Sequence, residues 1–311
     1  MPEDISTFWN EEAFNGQKIR EYSKKEGVNP RDFEKEIWEY DTLYLFTQYP
    51  KLDLYLRGGT CVQSYLPYNY QRFSVDLDFN IRIKERDPES VSDSIQKLNE
   101  ILTSKGLIKG VSKDIEHGKF YPLHYDKNTG TLSFARVFQS RTTSRRIKLV
   151  YAKDLKNKKM LKGIFNHILI QINVKHELYA LEWSKDEIKL RIQRYSEYQK
   201  ELKFKRLSIG DLLADKIIAL SNREEFKDLY DLSMLTDILT EKDLDVCDRK
   251  LDKILMKGKP EMVSKCKKVV EESLENKIHL RYIHTLPRSV VPVVSDRIFY
   301  ARLLDILERI G

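Results

Sequence analysis

Two aspartates, Asp76 and Asp78, are the side chains of this sequence that most clearly suggest chemistry. Apolar residues occupy alternate positions around them: Phe73, Val75, Leu77, Phe79 and Ile81. This alternation predicts a strand with one buried face. Because side chains two residues apart on a strand point to the same side, both carboxylates share the other face. The pair is therefore suited to bind one divalent cation.

A glycine turn lies upstream of the aspartates. Gly58 and Gly59 follow Leu56 and Arg57, and the residues from Thr60 onward predict a short helix. Glycines let backbone amides approach phosphate oxygens closely, and a helix N-terminus favours an anion. A lone Gly-Gly pair is typical of a turn, and a lone Asp-x-Asp pair is typical of a solvated strand edge. Their combination indicates a nucleotide site.

A second group of charged residues lies in a region of helical periodicity. Lys216 and Arg223 are seven residues apart, and Asp228 and Asp231 are three apart, so each pair shares a helix face. From the residues alone, two alternatives stay open. The group belongs to a functional site, or it consists of surface ion pairs on amphipathic helices, which contribute little stability each.

Charge is distributed unevenly along the 311 residues. The formal net charge is +7, but residues 101–206 contain 24 Lys and Arg against 10 Asp and Glu. Tyr, Phe and His residues that could stack on bases are interspersed there, which favours an RNA or nucleotide partner. A solvated lysine-rich surface is the alternative.

Other features limit the location and the chemistry. The three cysteines are scattered, which predicts free thiols in a reducing compartment. The N-terminus lacks the pattern of a signal peptide, and the longest apolar runs are too short to span a bilayer. We therefore expect a cytoplasmic protein with no membrane partner. The six histidines show no metal-ligand spacing.

The elements that must position these residues predict an α+β protein. Residues 1–50 are predicted to be helical, and Asn29 and Pro30 supply an N-cap and first position for one helix. Strands follow to about residue 175, and helical periodicity continues from Leu207 to the end. We predict two domains: residues 1–190 form a mixed sheet flanked by helices, and residues 191–311 form a C-terminal helical domain.

Together these motifs resemble the AbiEii/AbiGii toxin family, nucleotidyltransferases of the DNA polymerase β-like superfamily that include the MenT toxins. One family pattern is a Lys/Arg-Gly-Gly-Thr/Ser turn followed by Arg-Phe-Ser-x-Asp-hydrophobic-Asp-Phe, here residues 57–60 and 72–79. The other is a helical Lys, then an Arg, then Lys/Arg-Asp-x-x-Asp-Leu, which matches Lys216, Arg223 and residues 227–232. The resemblance favours a functional role for the second charged group and implies a nucleotidyltransferase-like fold.

The resemblance also implies roles for the matched residues. Asp76 and Asp78 would bind Mg²⁺ and be catalytic, with Lys216 contacting phosphate. Asp228, or alternatively Asp231, would act as a base or position the acceptor. Arg223 would orient a phosphate or that carboxylate. The remaining matched residues would contribute to nucleotide binding: Gly58, Gly59, Thr60, Arg72, Ser74 and Asp231.

One position departs from the superfamily. A third carboxylate usually stands on a later strand, but here Asn173 or Gln171 occupies that place. We assign Asn173 as a third metal ligand, because an amide oxygen can bind a metal although it cannot act as a base. Glu177 and Asp154 are alternatives if the alignment differs, and Asp228 could supply the base.

We therefore expect a Mg²⁺-dependent enzyme that transfers NMP from NTP to an acceptor, with the tRNA 3′ end as the favoured acceptor. Its biological role would be that of a toxin in a toxin–antitoxin or abortive-infection system, with an antitoxin protein as partner. The alternatives are a catalytically weakened nucleotide- or RNA-binding module and a transferase that acts on a protein.

Overall fold

A computed structural model gives the fold of most of the chain. The described residues are 8–9, 11–49, 53–81, 100, 103, 117–126, 130–142, 165–173, 182–276, 286–288, 290 and 298–311. The sequence also predicts a helix from Pro88 to about Gly106, of which only Glu100 and Thr103 are described, and a strand at residues 147–150, which lies outside the described residues.

The structure combines eight helices and seven strands within the described residues. The helices are α1 Gly16–Glu26, α2 Pro30–Thr47, α3 Gly58–Gln63, α4 Ile209–Arg223, α5 Phe226–Ile238, α6 Glu241–Leu255, α7 Lys259–Glu275 and α8 Ile298–Ile310. The strands are β1 Leu54–Arg57, β2 Asp76–Ile81, β3 Phe120–Asp126, β4 Thr131–Gln139, β5 Phe165–Asn173, β6 Trp183–Glu187 and β7 Lys203–Leu207. Short 3₁₀ turns connect some of them.

The strands form one mixed sheet in the order β3-β4-β5-β2-β1-β7-β6. β2 pairs in parallel with β5, and β1 pairs in parallel with β7, while the other neighbours are antiparallel. β2 and β1 therefore lie in the middle of the sheet, where neighbours on both sides fix the position of their side chains. The predicted α+β class, with a mixed sheet followed by C-terminal helices, is confirmed.

One face of the sheet forms the core against α2. Leu77 and Phe79 of β2 are fully buried on this face, and the ring of Phe79 lies 5.4 Å from that of Phe46 in α2. The predicted start of α2 is confirmed, because the Asn29 side chain accepts a hydrogen bond from the Arg31 N–H and Pro30 is the first helical residue. The apolar face thus leaves the opposite face for polar residues.

The helices after β7 pack against one another and against α3. α4 packs against α6 and α7 as well as against α3 and α5, and α8 packs against α5 and α7. The predicted boundary between residues 190 and 191 falls between β6 and β7, which pair with each other in the sheet. The division into two domains stays a prediction.

Candidate active site

The two aspartates lie on one face of β2, as the alternation predicts. Leu77 between them is fully buried, whereas Asp76 and Asp78 are partly exposed. The β1–β2 register places Arg57 opposite Asp78, and the β2–β5 register places Gln171 on its other side. Since residues directly opposite in a ladder share a face, Arg57 and Gln171 stand on the same side as the carboxylates.

The glycine turn is shaped by the close approach of this strand. Gly58 has a φ of +70°, and a Cβ atom there would lie 2.1 Å from Asp78 Oδ2. A Cβ on Gly59 would lie 2.7 Å from Arg72 Nη2 and 2.8 Å from Ser74 Oγ. Gly58 therefore requires glycine both for packing and for its left-handed φ, whereas a Cβ on Gly59 would displace the ends of the Arg72 and Ser74 side chains.

Thr60 is placed differently from the expectation that its hydroxyl contacts triphosphate. Its side chain is fully buried, and its hydroxyl donates to the carbonyl oxygen of Asp76 at 2.9 Å. The hydroxyl thus fastens the start of α3 to the strand that carries the carboxylates. The structure supports a positioning role for this side chain.

The second charged group comes together on α4 and α5. Lys216 Nζ lies 2.8 Å from Asp228 Oδ1 and 2.7 Å from Asp231 Oδ2. Arg223 donates to both oxygens of Asp228, through Nε at 2.6 Å and Nη2 at 3.0 Å. Asp228, Asp231 and Lys216 are buried, so the contacts of Lys216 are not surface ion pairs, whereas the Arg223 side chain is half-exposed.

Asp231 connects this group to the sheet. Arg72 Nε and Nη2 donate to its two oxygens at 2.8 and 2.7 Å, and Gln63 Nε2 donates to Oδ1 at 2.8 Å. Gln63 also accepts from the Arg72 backbone N–H. Arg72 therefore forms a bidentate ion pair with Asp231, and its Nη2 atom lies close to Gly59.

The contacts of Asp228 argue against its role as a base. Burial raises the pKa of the Asp228 carboxyl, but Lys216 and Arg223 outweigh burial and hold this pKa below its ordinary value. A carboxylate with a lowered pKa and both oxygens bound to cations is a poor proton acceptor. The geometry instead favours a role in orienting Lys216 and Arg223.

The electrostatics around Asp78 suit a cation. Burial raises the pKa of the Asp78 carboxyl, and Asp76 adds to this effect, while Arg57, Lys216 and Arg223 oppose it. The three cations do not outweigh burial, so the pKa of the Asp78 carboxyl stays above its ordinary value. Paired carboxylates with an amide beside them match the oxygen ligands that Mg²⁺ prefers.

A cleft of about 490 Å³ opens between the sheet and α4. Most of the predicted site residues line it: Gly58, Gly59, Arg72, Ser74, Asp76, Asp78, Asn173, Lys216 and Arg223. The three others, Thr60, Asp228 and Asp231, are fully buried and support this lining from behind. The two motifs that are distant in sequence thus meet across one cleft.

The two amides on β5 stand at different distances along the strand from Asp78. Gln171 is directly opposite Asp78, whereas Asn173 is opposite Asn80, one pleat farther along. Both line the cleft. The alternatives Asp154 and Glu177 lie outside the described residues. Within the described part of the chain, no group of three His, Cys, Asp or Glu side chains could hold a metal.

Three polar residues of the cleft have no separate role assigned from the sequence. Arg57 has no role apart from the turn motif, and neither Asp215 nor Asn222 has an assigned role, yet all three line the cleft. The signal for Asp215 and Asn222 is that they lie three and four residues from Ile218, which places all three on one helix face. Arg57 had a signal in its position at the end of a strand next to the glycines.

The family comparison identifies the kind of enzyme to which this cleft belongs. The profile described as "Nucleotidyl transferase AbiEii toxin, Type IV TA system" matches residues 45–282, more than half of the chain. The chain belongs to the AbiEii toxin family. It is therefore a nucleotidyltransferase of a toxin–antitoxin system, as the resemblance of its two motifs predicted. The matched range of this AbiEii protein contains both walls of the cleft.

Other comparisons add little to this AbiEii assignment. No curated protein gives a significant match. Among solved structures, the chain is similar to "Crystal structure of putative nucleotidyltransferase from H. pylori", at 15% identity and a TM-score of 0.39. That similarity covers 97% of this chain and 95% of the other. Within the described residues, no helix combines the length and hydrophobicity needed to cross a membrane.

Proposed function

We propose that the cleft binds an NTP with Mg²⁺ and transfers its NMP unit to the 3′ end of tRNA. The observation that carries this proposal is the arrangement of Asp76 and Asp78 on one wall of the cleft and Lys216 and Arg223 on the other. Anionic ligands for a metal thus face cationic ligands for phosphates, which is the charge pattern that phosphoryl transfer needs.

The residues divide this work between them. Asp76 and Asp78 would hold the metal, with the amide oxygen of Gln171 or Asn173 beside them. When bound, a divalent cation neutralises charge that develops on the phosphates during in-line displacement. The backbone amides of Gly58 and Gly59 at the start of α3 would bind the triphosphate, and the side chains of Arg72 and Ser74 lie close to Gly59.

Lys216 and Arg223 would stabilise the charge on the departing pyrophosphate. Their shared partner Asp228 fixes both cations, which reduces the entropy lost when a phosphate binds. Asp231 would do the same for Lys216 and Arg72. We therefore propose that Asp228 and Asp231 orient cations, and that neither takes the acceptor proton.

The uneven charge of the chain supports an RNA acceptor. Residues 101–206 hold 24 basic and 10 acidic residues, which favours binding to a polyanion. Because the family belongs to a type IV toxin–antitoxin system, we also propose that an antitoxin counteracts the transfer.

The test is to incubate the purified protein with total tRNA, Mg²⁺ and each labelled NTP in turn. We expect label at the tRNA 3′ end with at least one NTP, and loss of that label on chelation. Asp76→Asn and Asp78→Asn should each lower the rate at least about 100-fold. Asp186→Asn, on the edge strand β6, is the matched control and should retain the rate.

A second candidate function follows from the amides on β5. With Gln171 and Asn173 where the superfamily usually has an acid, the chain would bind nucleotide without turnover. Calorimetry showing tight NTP binding, with no pyrophosphate release in any acceptor pool, would favour this binding module and contradict the transferase. A mass increase on a co-expressed protein, without label on tRNA, would instead make a protein the acceptor.

A further inference from the structure

A buried chain of alternating charges runs from α6 in the C-terminal helices to the cleft. It starts at Lys250, whose side chain is 1% exposed. Lys250 Nζ lies 3.0 Å from Asp211 Oδ1 and 3.0 Å from Asp215 Oδ1, and it donates to the Asp211 carbonyl oxygen at 3.1 Å. One buried ammonium thus holds two carboxylates on neighbouring turns of α4.

Asp215 also contacts Arg57 of the sheet. Its second oxygen, Oδ2, lies 3.1 Å from Arg57 Nη2, while Arg57 Nη1 donates to Asn80 Oδ1 at 3.0 Å. Arg57 stands opposite Asp78 at the end of β1. The guanidinium is therefore fixed between a carboxylate on α4 and an amide on β2, beside the paired aspartates.

The guanidinium keeps donors for a ligand. Arginine has five N–H donors; Nη1 of Arg57 donates to Asn80, and the contact of Nη2 with Asp215 is an ion pair without a hydrogen bond, so the group is not saturated. The Arg57 side chain is 19% exposed and lines the cleft. An arginine held in this way is preorganised for a phosphate, because its rotamer freedom is already lost in the free protein.

We propose that Asp215 and Lys250 are positioning residues that set the affinity for the NTP by holding Arg57 against its phosphates. This inference rests on the proposed function and extends it to residues outside both sequence motifs. Asp215 acts through Arg57, and Lys250 acts through Asp215. A C-terminal helix thereby contributes to nucleotide binding without lining the cleft.

The experiment compares two aspartates that share Lys250 but differ in their contact with Arg57. Asp215→Asn keeps an oxygen for Lys250 and places an amide toward Arg57, which removes the ion pair at nearly constant volume. Asp211→Asn alters the same ammonium at the same distance but does not touch Arg57. Thermal unfolding of both variants reports any loss of folded protein.

The readout is the Kd of each NTP with Mg²⁺, measured by calorimetry without any acceptor. We expect Asp215→Asn to weaken binding about tenfold and Asp211→Asn to change it less than about twofold. In an Arg57→Met background, Asp215→Asn should have no further effect, since the residue through which it acts is gone.

The outcomes separate this inference from the proposed function. Equal weakening by both aspartate variants, or an effect of Asp215→Asn that persists in Arg57→Met, would overturn the positioning role while leaving NTP binding intact. Tighter binding by Asp215→Asn would also overturn it, because Asp215 would then compete with phosphate for Arg57. If the unaltered protein binds no NTP, the proposed function and this inference both fail.

Discussion

The third ligand position is the residue-scale question with the clearest test. Gln171 lies next to Asp78 in the sheet, and Asn173 lies one pleat farther from the pair. We predict that Gln171→Glu lowers the Mg²⁺ concentration for half-maximal activity about fivefold, because a carboxylate binds this cation better than an amide. A Mg²⁺ titration of the transfer rate measures it.

Asn173→Asp serves as the comparison for that titration. It adds the same charge on the same face and in the same cleft. We expect it to shift the Mg²⁺ requirement less than about twofold, since its carboxylate is one pleat away. A larger shift from Asn173→Asp than from Gln171→Glu would assign the third ligand to Asn173 instead.

For individual residues, the sequence predicts which face of a strand a side chain occupies, but it predicts the partner of that side chain less well. The strand period alone placed Asp76 and Asp78 together, because the period of two is a property of the backbone. The partner of Arg57 is Asp215, far along the chain, and the Thr60 hydroxyl binds a backbone carbonyl. Neither contact follows from local spacing, since each depends on how two distant elements pack.

At the scale of elements, the turn between β1 and α3 decides where the carboxylates stand. We predict that Gly58→Ala lowers the transfer rate at least about 100-fold, because the added Cβ would displace Asp78 and the left-handed backbone would be strained. Steady-state kinetics at saturating Mg²⁺ measures it. Gly258→Ala is the matched control, because nothing lies within 4 Å of its Cβ position and the φ there is −83°.

A Gly58→Ala variant that kept the transfer rate of Gly258→Ala would contradict this prediction, because the turn would then tolerate movement of Asp78. The position of that carboxylate relative to α3 would then not be essential to the reaction.

The pair between Arg72 and Asp231 joins α5 to the strand region. We predict that Asp231→Ala lowers the free energy of unfolding by about 3–5 kcal/mol, because it leaves Arg72 and Lys216 as buried charges without this partner. Urea unfolding followed by circular dichroism measures the change.

The control for this loss is the exposed pair of Lys268 and Glu272 on α7, 3.6 Å apart. Glu272→Gln should change the free energy of unfolding by less than about 0.5 kcal/mol, as solvent-exposed helical pairs do. A loss from Asp231→Ala no larger than this would show that solvent reaches the pair and that the contact with α5 contributes little.

The elements that escaped sequence prediction share a physical reason. β6 is an edge strand whose residues are mostly exposed, so its sequence lacks the apolar alternation that marks a half-buried strand. β7 pairs with it and with β1, and it places Phe204 and Leu207 in the core. The predicted boundary at residues 190–191 falls between these two strands, because the sequence predicts strands only to about residue 175.

For the whole molecule, charge is the property that bears on the acceptor. We predict that the affinity for tRNA falls at least about tenfold between 50 and 200 mM salt, because binding releases counterions from the phosphates. Filter binding at several salt concentrations measures the slope. NTP binding measured in parallel should depend less on the salt concentration. A tRNA affinity that did not change with salt concentration would contradict an electrostatic surface for the acceptor.

The linked ion pairs of Arg72, Asp231, Lys216, Asp228 and Arg223 also restrict how such a chain can diverge. Each carboxylate serves two cations, so a mutation of one member removes part of the compensation of another, mostly buried charge. We therefore expect substitutions in this region to occur as compensating pairs, whereas residues at the mouth of the cleft can change one at a time. A lineage of these toxins can in this way acquire new substrates at the mouth while its interior remains recognisable.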